Sequence, residues 1–383
     1  MTFIYLDNNA TTRPAPEVVD AVALFLREHW GNPSSAHSLG RVPEAALVHA
    51  RSQVSALMGC DPTELVFSSG ATESITHVFK GVFEAFPAKR HFIVSAIEHS
   101  AVQAQVAWLR RQGAEVGVLP VDASGQVKLE ALEPMLRSDT ALVSVMLANN
   151  ETGVIQPVAD IAHIAKAAGA LVHTDAVQAV GKLPIDLKAL GVDLATISGH
   201  KFHGPKGVGA LFIRRVLRLK PLILGGHQER DRRGGTENLP GIVGMGVAAE
   251  LAQAHLAEMP RIASLRDRLE DGLRQSMSNI VIHGSGAPRV PNTSFMGFPG
   301  LEGEALLLKL DGQGICVSTG SACTTGQKEP SHVLWAMGVP LDVARGTLRL
   351  SLSRESLDAD IDRALAVIPD VVRELACIPP MGR

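Results

Sequence analysis

Gly169-Ala170-Leu171-Val172-His173-Thr174-Asp175 and Val192-Asp193-Leu194-Ala195-Thr196-Ile197-Ser198-Gly199-His200-Lys201 decide how this chain folds. Each is a short apolar run, bounded by glycine and polar residues, and each reads as a buried strand of a parallel sheet. The first ends in a carboxylate and the second runs into a lysine. Strands of one sheet bring such groups together in the crevice beyond their carboxyl ends. An aspartate there can keep an aromatic ring nitrogen protonated, and a lysine can form a Schiff base with an aldehyde. A solvated loop with an exposed lysine is the plain alternative. The Ser198-Gly199-His200-Lys201 context and the stretches upstream weigh against it.

The rest of the chain repeats the strand and polar-exit theme. Leu65 to Ser68, His91 to Ser95, Val116 to Pro120, Ala141 to Met146 and Ala210 to Ile213 read as further strands. Helices are expected at Pro16 onward, Val42 to Met58, after the Gly70 turn with a buried face from Ile75 to Phe86, after Val102 and over Leu129 to Leu136. Strands alternating with helices, each with polar residues at its exit, describe an α/β fold with a mostly parallel, doubly wound sheet. Helices at Leu239 to Ala257 and Ile262 to Met277 lead into a smaller α+β domain. Its expected strands lie at 281–282, 293–296 and 315–318, and Pro369 predicts a kink or break in its last helix. Residues 14–257 are accordingly read as the large domain, with 1–13 and 258–383 as the small one.

Several exits carry chemistry. Ser69-Gly70-Ala71-Thr72 turns from a strand into a helix whose free amides suit a phosphate, without the GxxxxGK[ST] pattern of a nucleotide P-loop. Glu98-His99 and Asn149-Asn150-Glu151 stand at two more exits. Gly225 to Asn238 lacks periodicity and holds Arg232, Arg233 and Thr236. It reads as a surface loop or as a phosphate-facing one that reaches a neighbouring subunit. A chain of 383 residues and net charge −3 gives no sign of a nucleic-acid partner, and no apolar stretch reaches membrane-spanning length. Its four cysteines, Cys60, Cys316, Cys323 and Cys377, lack CxxC spacing, so a reducing cytoplasm fits and a disulfide framework does not. Cys316 and Cys377 read as small buried hydrophobes. Cys323, inside Ser318-Thr319-Gly320-Ser321-Ala322-Cys323-Thr324-Thr325-Gly326, has small polar neighbours and reads as an exposed nucleophile.

Taken together, these stretches resemble the cysteine desulfurases, pyridoxal-phosphate (PLP) enzymes of fold type I, the aspartate-aminotransferase-like fold. The resemblance runs from Tyr5-Leu6-Asp7 and Gly31-Asn32-Pro33-Ser34 to Gly320-Ser321-Ala322-Cys323 and Arg349-Leu350-Ser351, nearly the whole chain, and favours the NifS/IscS-type branch. It implies that Lys201 is the Schiff-base lysine, Asp175 the partner of the ring nitrogen, Gln178 a donor to the ring oxygen and His99 the ring stacked on the cofactor. It implies that Ala71, Thr72, Ser198 and His200 hold the phosphate, with Thr236 supplied by the second subunit of a homodimer. Asn150 and Arg349, helped by Asn32, would bind the substrate carboxylate. L-cysteine would give L-alanine and a persulfide on Cys323 for an acceptor protein serving iron–sulfur assembly or thiolation. Selenocysteine lyases, aminotransferases and kynureninase-like hydrolases share the fold but do not need a loop thiol. A non-catalytic assembly partner on this fold would be expected to lack Lys201 or Cys323.

Overall fold

A computed structural model describes residues 3–320 and 330–377. Its twelve strands are β1 (Ile4–Tyr5), β2 (Leu65–Ser68), β3 (His91–Ser95), β4 (Glu115–Leu119), β5 (Thr140–Ser144) and β6 (Leu171–Asp175). They continue as β7 (Leu194–Ser198), β8 (Gly209–Ile213), β9 (Val281–His283), β10 (Thr293–Gly297), β11 (Ile315–Cys316) and β12 (Thr347–Ser351). Seven form one sheet in the order β2-β8-β7-β6-β5-β3-β4. The run from β7 through β6, β5 and β3 to β4 is parallel, and β8 is antiparallel to both β7 and β2. That reversal escapes the sequence pattern because β8 follows β7 through a tight Gly-Pro-Lys-Gly turn with no crossover helix. It also leaves β2 running with β7, so the exits of β2, β3, β5, β6 and β7 share one edge.

Strand periodicity of two distributes the apolar residues onto two faces. Leu65, Phe67, Ile93, Val143, Val172, Ala195, Ile197, Ala210 and Phe212 join one buried cluster, completed by helices 16–27, 38–58, 158–167 and 239–255. Val66, Phe92, Val94, Leu142, Leu194, Leu211 and Ile213 join the other, under helices 71–85 and 100–111. A third cluster gathers Leu6 with residues between Ile262 and Val371 around the antiparallel β12-β10-β9 sheet. Among the described residues no helix is long and apolar enough to cross a membrane.

Local differences from the sequence reading have physical causes. The helix expected at 129–136 is a 3-10 turn, Leu129–Ala131, followed by a single turn, Leu132–Met135, which contains Pro134. The last helix runs unbroken over Asp358–Ala376 through a buried Pro369, so the expected break does not occur. Burial of Ile361, Ala364, Val367, Ile368 and Val371 on one face outweighs the single hydrogen bond lost at proline. Cys377 is exposed and Cys316 only half-buried, which corrects their reading as buried hydrophobes. A helix at Val158–Ala167, absent from the sequence reading, buries Val158, Ile161, Ala162 and Ala165.

The 225–238 stretch is tied down by its own chain. Arg51 meets Glu229 through Nη1–Oε2 at 2.8 Å and Nη2–Oε1 at 2.6 Å, and the Phe67 amide donates to Oε2 at 3.0 Å. Both partners are buried, and Glu229, Arg230 and Asp231 all take positive φ. Arg233 pairs with Glu73 at 3.0 Å, and Arg232 donates to the Leu65 carbonyl at 3.0 Å. Three successive non-glycine residues in the left-handed region cost energy that this pair offsets. Glu229→Ala should therefore cost about 3–5 kcal/mol, because it strands a buried guanidinium. The denaturation midpoint would read the loss, and an unchanged midpoint would contradict it.

Candidate active site

The shared edge assembles the site. Helix 71–85 starts directly at Gly70, and no side chain caps its N-terminus. Gly209 allows the close approach: a Cβ there would lie 2.7 Å from Gly70 Cα and 2.6 Å from the Ile197 carbonyl oxygen. Ser198 is buried at the end of β7 beside Gly70. His200 Nδ1 meets Thr11 Oγ1 at 3.1 Å, and burial, then Lys201 and Lys206, pushes the ring down to about 4. Uncapped helix amides, a buried hydroxyl and a neutral imidazole offer donors that suit a phosphate.

Asp175 ends β6 and is buried, with Oδ1 accepting the Val177 amide at 2.9 Å. Burial raises its carboxyl, opposed by His99 and Lys201. A protonated ring nitrogen in contact would hold it as a carboxylate. Lys201 Nζ donates to the carbonyls of Asn9 at 2.6 Å and Ala10 at 2.8 Å. His99 opens helix 100–111, with Nδ1 accepting the Ala101 amide at 3.1 Å. Its proton therefore sits on Nε2. Burial lowers the ring, Asp175 raises it and Lys201 lowers it, so it is neutral near pH 7.

A second group lies beside these. Arg349, on β12, donates Nη2 to Asp7 Oδ1 at 2.8 Å and Nη1 to the Asn150 carbonyl at 3.1 Å. Its Nε is buried without a partner among the described residues, an orphaned donor that a substrate carboxylate would satisfy. Gln178 is buried and donates to the Asn9 carbonyl at 3.0 Å. Asn32 is exposed, and its Oδ1 accepts the Ser34 amide at 2.8 Å. Thr236 is exposed and lines a cavity with Ser68, Ser69 and Arg233.

Cys323 lies outside the described residues. The two described ends of its segment meet at Glu151. Ser331 Oγ donates to Glu151 Oε2 at 2.5 Å, and a Cβ on Gly320 would lie 3.1 Å from the same oxygen. Burial pushes Glu151 up to about 7. Asn9, Lys182 and Glu151 carry no role in the sequence reading.

Glu98, next to His99, is buried, and its Oε1 accepts Ser95 Oγ at 2.6 Å and the Met146 amide at 2.8 Å. Its Oε2 has no partner among the described residues, and burial pushes the group up to about 8. Its pKa is raised on folding, so its contribution to stability is complete below the ordinary value of 4.5 and is lost as pH rises through about 8. Glu98→Gln should gain stability relative to the parent across that window, read as a difference in Tm that grows from pH 5 to pH 8. A difference that stays constant with pH would contradict the assignment.

These residues fit PLP: a cradle for phosphate, a buried carboxylate for the ring nitrogen and a lysine for the aldehyde. The class-V aminotransferase family matches residues 4–364. "Cysteine desulfurase 2" of Trichormus variabilis is 50% identical over 382 residues, 100% of this chain and 96% of that protein. A solved NifS-like protein superposes with a TM-score of 0.91 at 42% identity, covering 98% of this chain and 100% of its own. SspA, solved in complex with cysteine, gives 0.80 at 32% identity, over 92% of this chain and 99% of its own. The chain belongs to the class-V aminotransferases and, within them, to the PLP-dependent cysteine desulfurases.

Proposed function

We propose that the protein takes sulfur from L-cysteine, releases L-alanine and passes the sulfur through Cys323 to an acceptor protein. The observation that carries this reading is the meeting, at one sheet edge, of Lys201, Asp175, His99 and the Arg349–Asn150 pair with both described ends of the Cys323 segment. PLP supplies an aldehyde for an amine and a protonated ring that withdraws electrons. Lys201 would hold PLP through its aldehyde, and its free amine would carry the proton of the substrate Cα. Asp175 holds the proton at the ring nitrogen. Gln178 donates to the ring oxygen, His99 covers the ring, and Ala71, Thr72, Ser198 and His200 bind the phosphate, with Thr236 reaching across a homodimer.

Arg349 and Asn150, with Asn32, orient the carboxylate; a guanidinium fork matches it in a way an ammonium cannot. The Cys323 thiolate then attacks the substrate sulfur. An S–S bond forms, the Cβ–S bond breaks, and its electron pair stays on carbon, which takes up a proton. No external oxidant is required. The separate core around Leu6 and residues 262–371 supports assigning 1–13 and 258–383 to a small domain that brings the thiol to the large domain, 14–257. Unpaired Cys60, Cys316 and Cys377 support a reducing, cytoplasmic setting.

The test is to give the purified, PLP-loaded protein L-cysteine and dithiothreitol and to measure alanine and sulfide. Equal amounts of both are expected. Pyruvate, or no product, would contradict the reading.

A further inference from the structure

Lys182 is buried at 8% exposure, and none of its described hydrogen bonds goes to a carboxylate. Its Nζ donates to Asn9 Oδ1 at 3.0 Å and to Gln178 Oε1 at 2.6 Å. A lysine kept this deep without a counter-charge is costly and needs a reason. Burial, followed by the charges of Lys201 and Arg349, pushes it well below the ordinary lysine range. Two acceptors stand in place for its N–H bonds.

Nζ faces the oxygens of the two carboxamides, and the backbone carbonyls that face both carboxamide nitrogens agree with that orientation. Their nitrogens are thereby turned away. Gln178 Nε2 donates to the Asn9 carbonyl at 3.0 Å. Asn9 Nδ2 donates to the Asn150 carbonyl at 3.1 Å and to Thr293 Oγ1 at 2.9 Å. The Asn9 carbonyl is the same one that holds Lys201 Nζ at 2.6 Å. Asn292 Nδ2 meets Asn9 Oδ1 at 3.1 Å, and the Asn9 amide reaches Ser351 Oγ at 2.9 Å. Every polar group of Asn9 is thus engaged, in a network that joins β10 and β12 to the large sheet.

The geometry points to Lys182 as a positioning residue: it sets the flip of the Gln178 and Asn9 carboxamides, and through them the donor offered to the cofactor ring oxygen and the carbonyl that holds Lys201. The inference rests on PLP being linked to Lys201 with Gln178 at its ring oxygen. A group required only for packing would affect stability. A group that fixes the Gln178 donor also affects the acid–base behaviour of the bound cofactor, because a hydrogen bond to an ionised oxygen stabilises that form.

The experiment is a pH titration of the absorbance of the PLP-loaded protein, without substrate. Lys182→Met keeps the length and removes the donor. Its absorbance midpoint should rise by about half a pH unit or more, as expected for losing one donor to a charged oxygen. Gln178→Ala should shift it the same way, and the double variant should shift no further than Gln178→Ala alone. Lys182→Arg restores donors, with room in the cavity walled by Gly181, Ala252 and Met259, and should bring the midpoint back toward the parent. Should Lys182→Met not fold, Lys182→Gln, whose shorter side chain cannot span both acceptors, reads the same shift. An unmoved midpoint with only a lowered Tm would overturn the inference, as would shifts that add in the double variant. A parent protein that binds PLP with no absorbance change on borohydride treatment would instead sink the Lys201 linkage, and this inference with it.

Discussion

Lys201→Ala is expected to lose the yellow absorbance of covalently held PLP and to reduce turnover about 10⁴-fold or more, since in the proposed function one side chain both anchors the cofactor and moves the proton at Cα. Its place supports both tasks. The 3-10 turn Gly199–Lys201 directly follows β7, so a rigid strand fixes the lysine backbone. Two carbonyls from the Asn9–Ala10 turn hold the Nζ at 2.6 and 2.8 Å. The variant should fold, because the strand core around Ala195 and Ile197 does not involve the side chain. Measured by absorbance, alanine release and Tm, the variant should keep its Tm in the cofactor-free form. Turnover within tenfold of the parent would exclude Lys201 as the proton carrier.

Cys323→Ser is expected to leave that absorbance in place and to take sulfur transfer to background, roughly 10³-fold down or more, because a hydroxyl cannot carry sulfane sulfur. The residues that hold PLP and the residue that receives sulfur belong to different parts of the chain. Cofactor spectrum and transfer should therefore separate cleanly in this variant. Alanine formed at the parent rate would favour a lyase that releases its chalcogen directly.

Much of the site is legible in the sequence because its residues sit at strand exits. A buried parallel strand announces itself as an apolar run, and the polar residue that ends it is the one the crevice receives. Asp175 and Ser198 end their strands, and Lys201, His99 and Asn150 lie in the polar stretches just beyond β7, β3 and β5. Arg349 is different. It lies within β12 and was identified by resemblance, and its partner Asp7 is 342 positions away. The Arg51–Glu229 pair spans 178 positions, and nothing local marks either residue as buried. Lys182 reads in sequence as an ordinary lysine after a glycine, and only the packing of Asn9 against it reveals a role. The helix at 158–167 is missing from the sequence reading although Val158, Ile161, Ala162 and Ala165 follow helical spacing. Cys377 misled because an apolar final helix does not say which of its faces is covered.

The most direct measurement is a single turnover. The PLP-loaded protein is mixed with L-cysteine without reductant, alanine is quantified, and the mass of the Cys323 peptide is determined. One alanine per protomer and one added sulfur atom on Cys323 are the expected result. Alanine with an unmodified Cys323, or sulfur found on Cys60, Cys316 or Cys377 instead, would contradict transfer through that thiol.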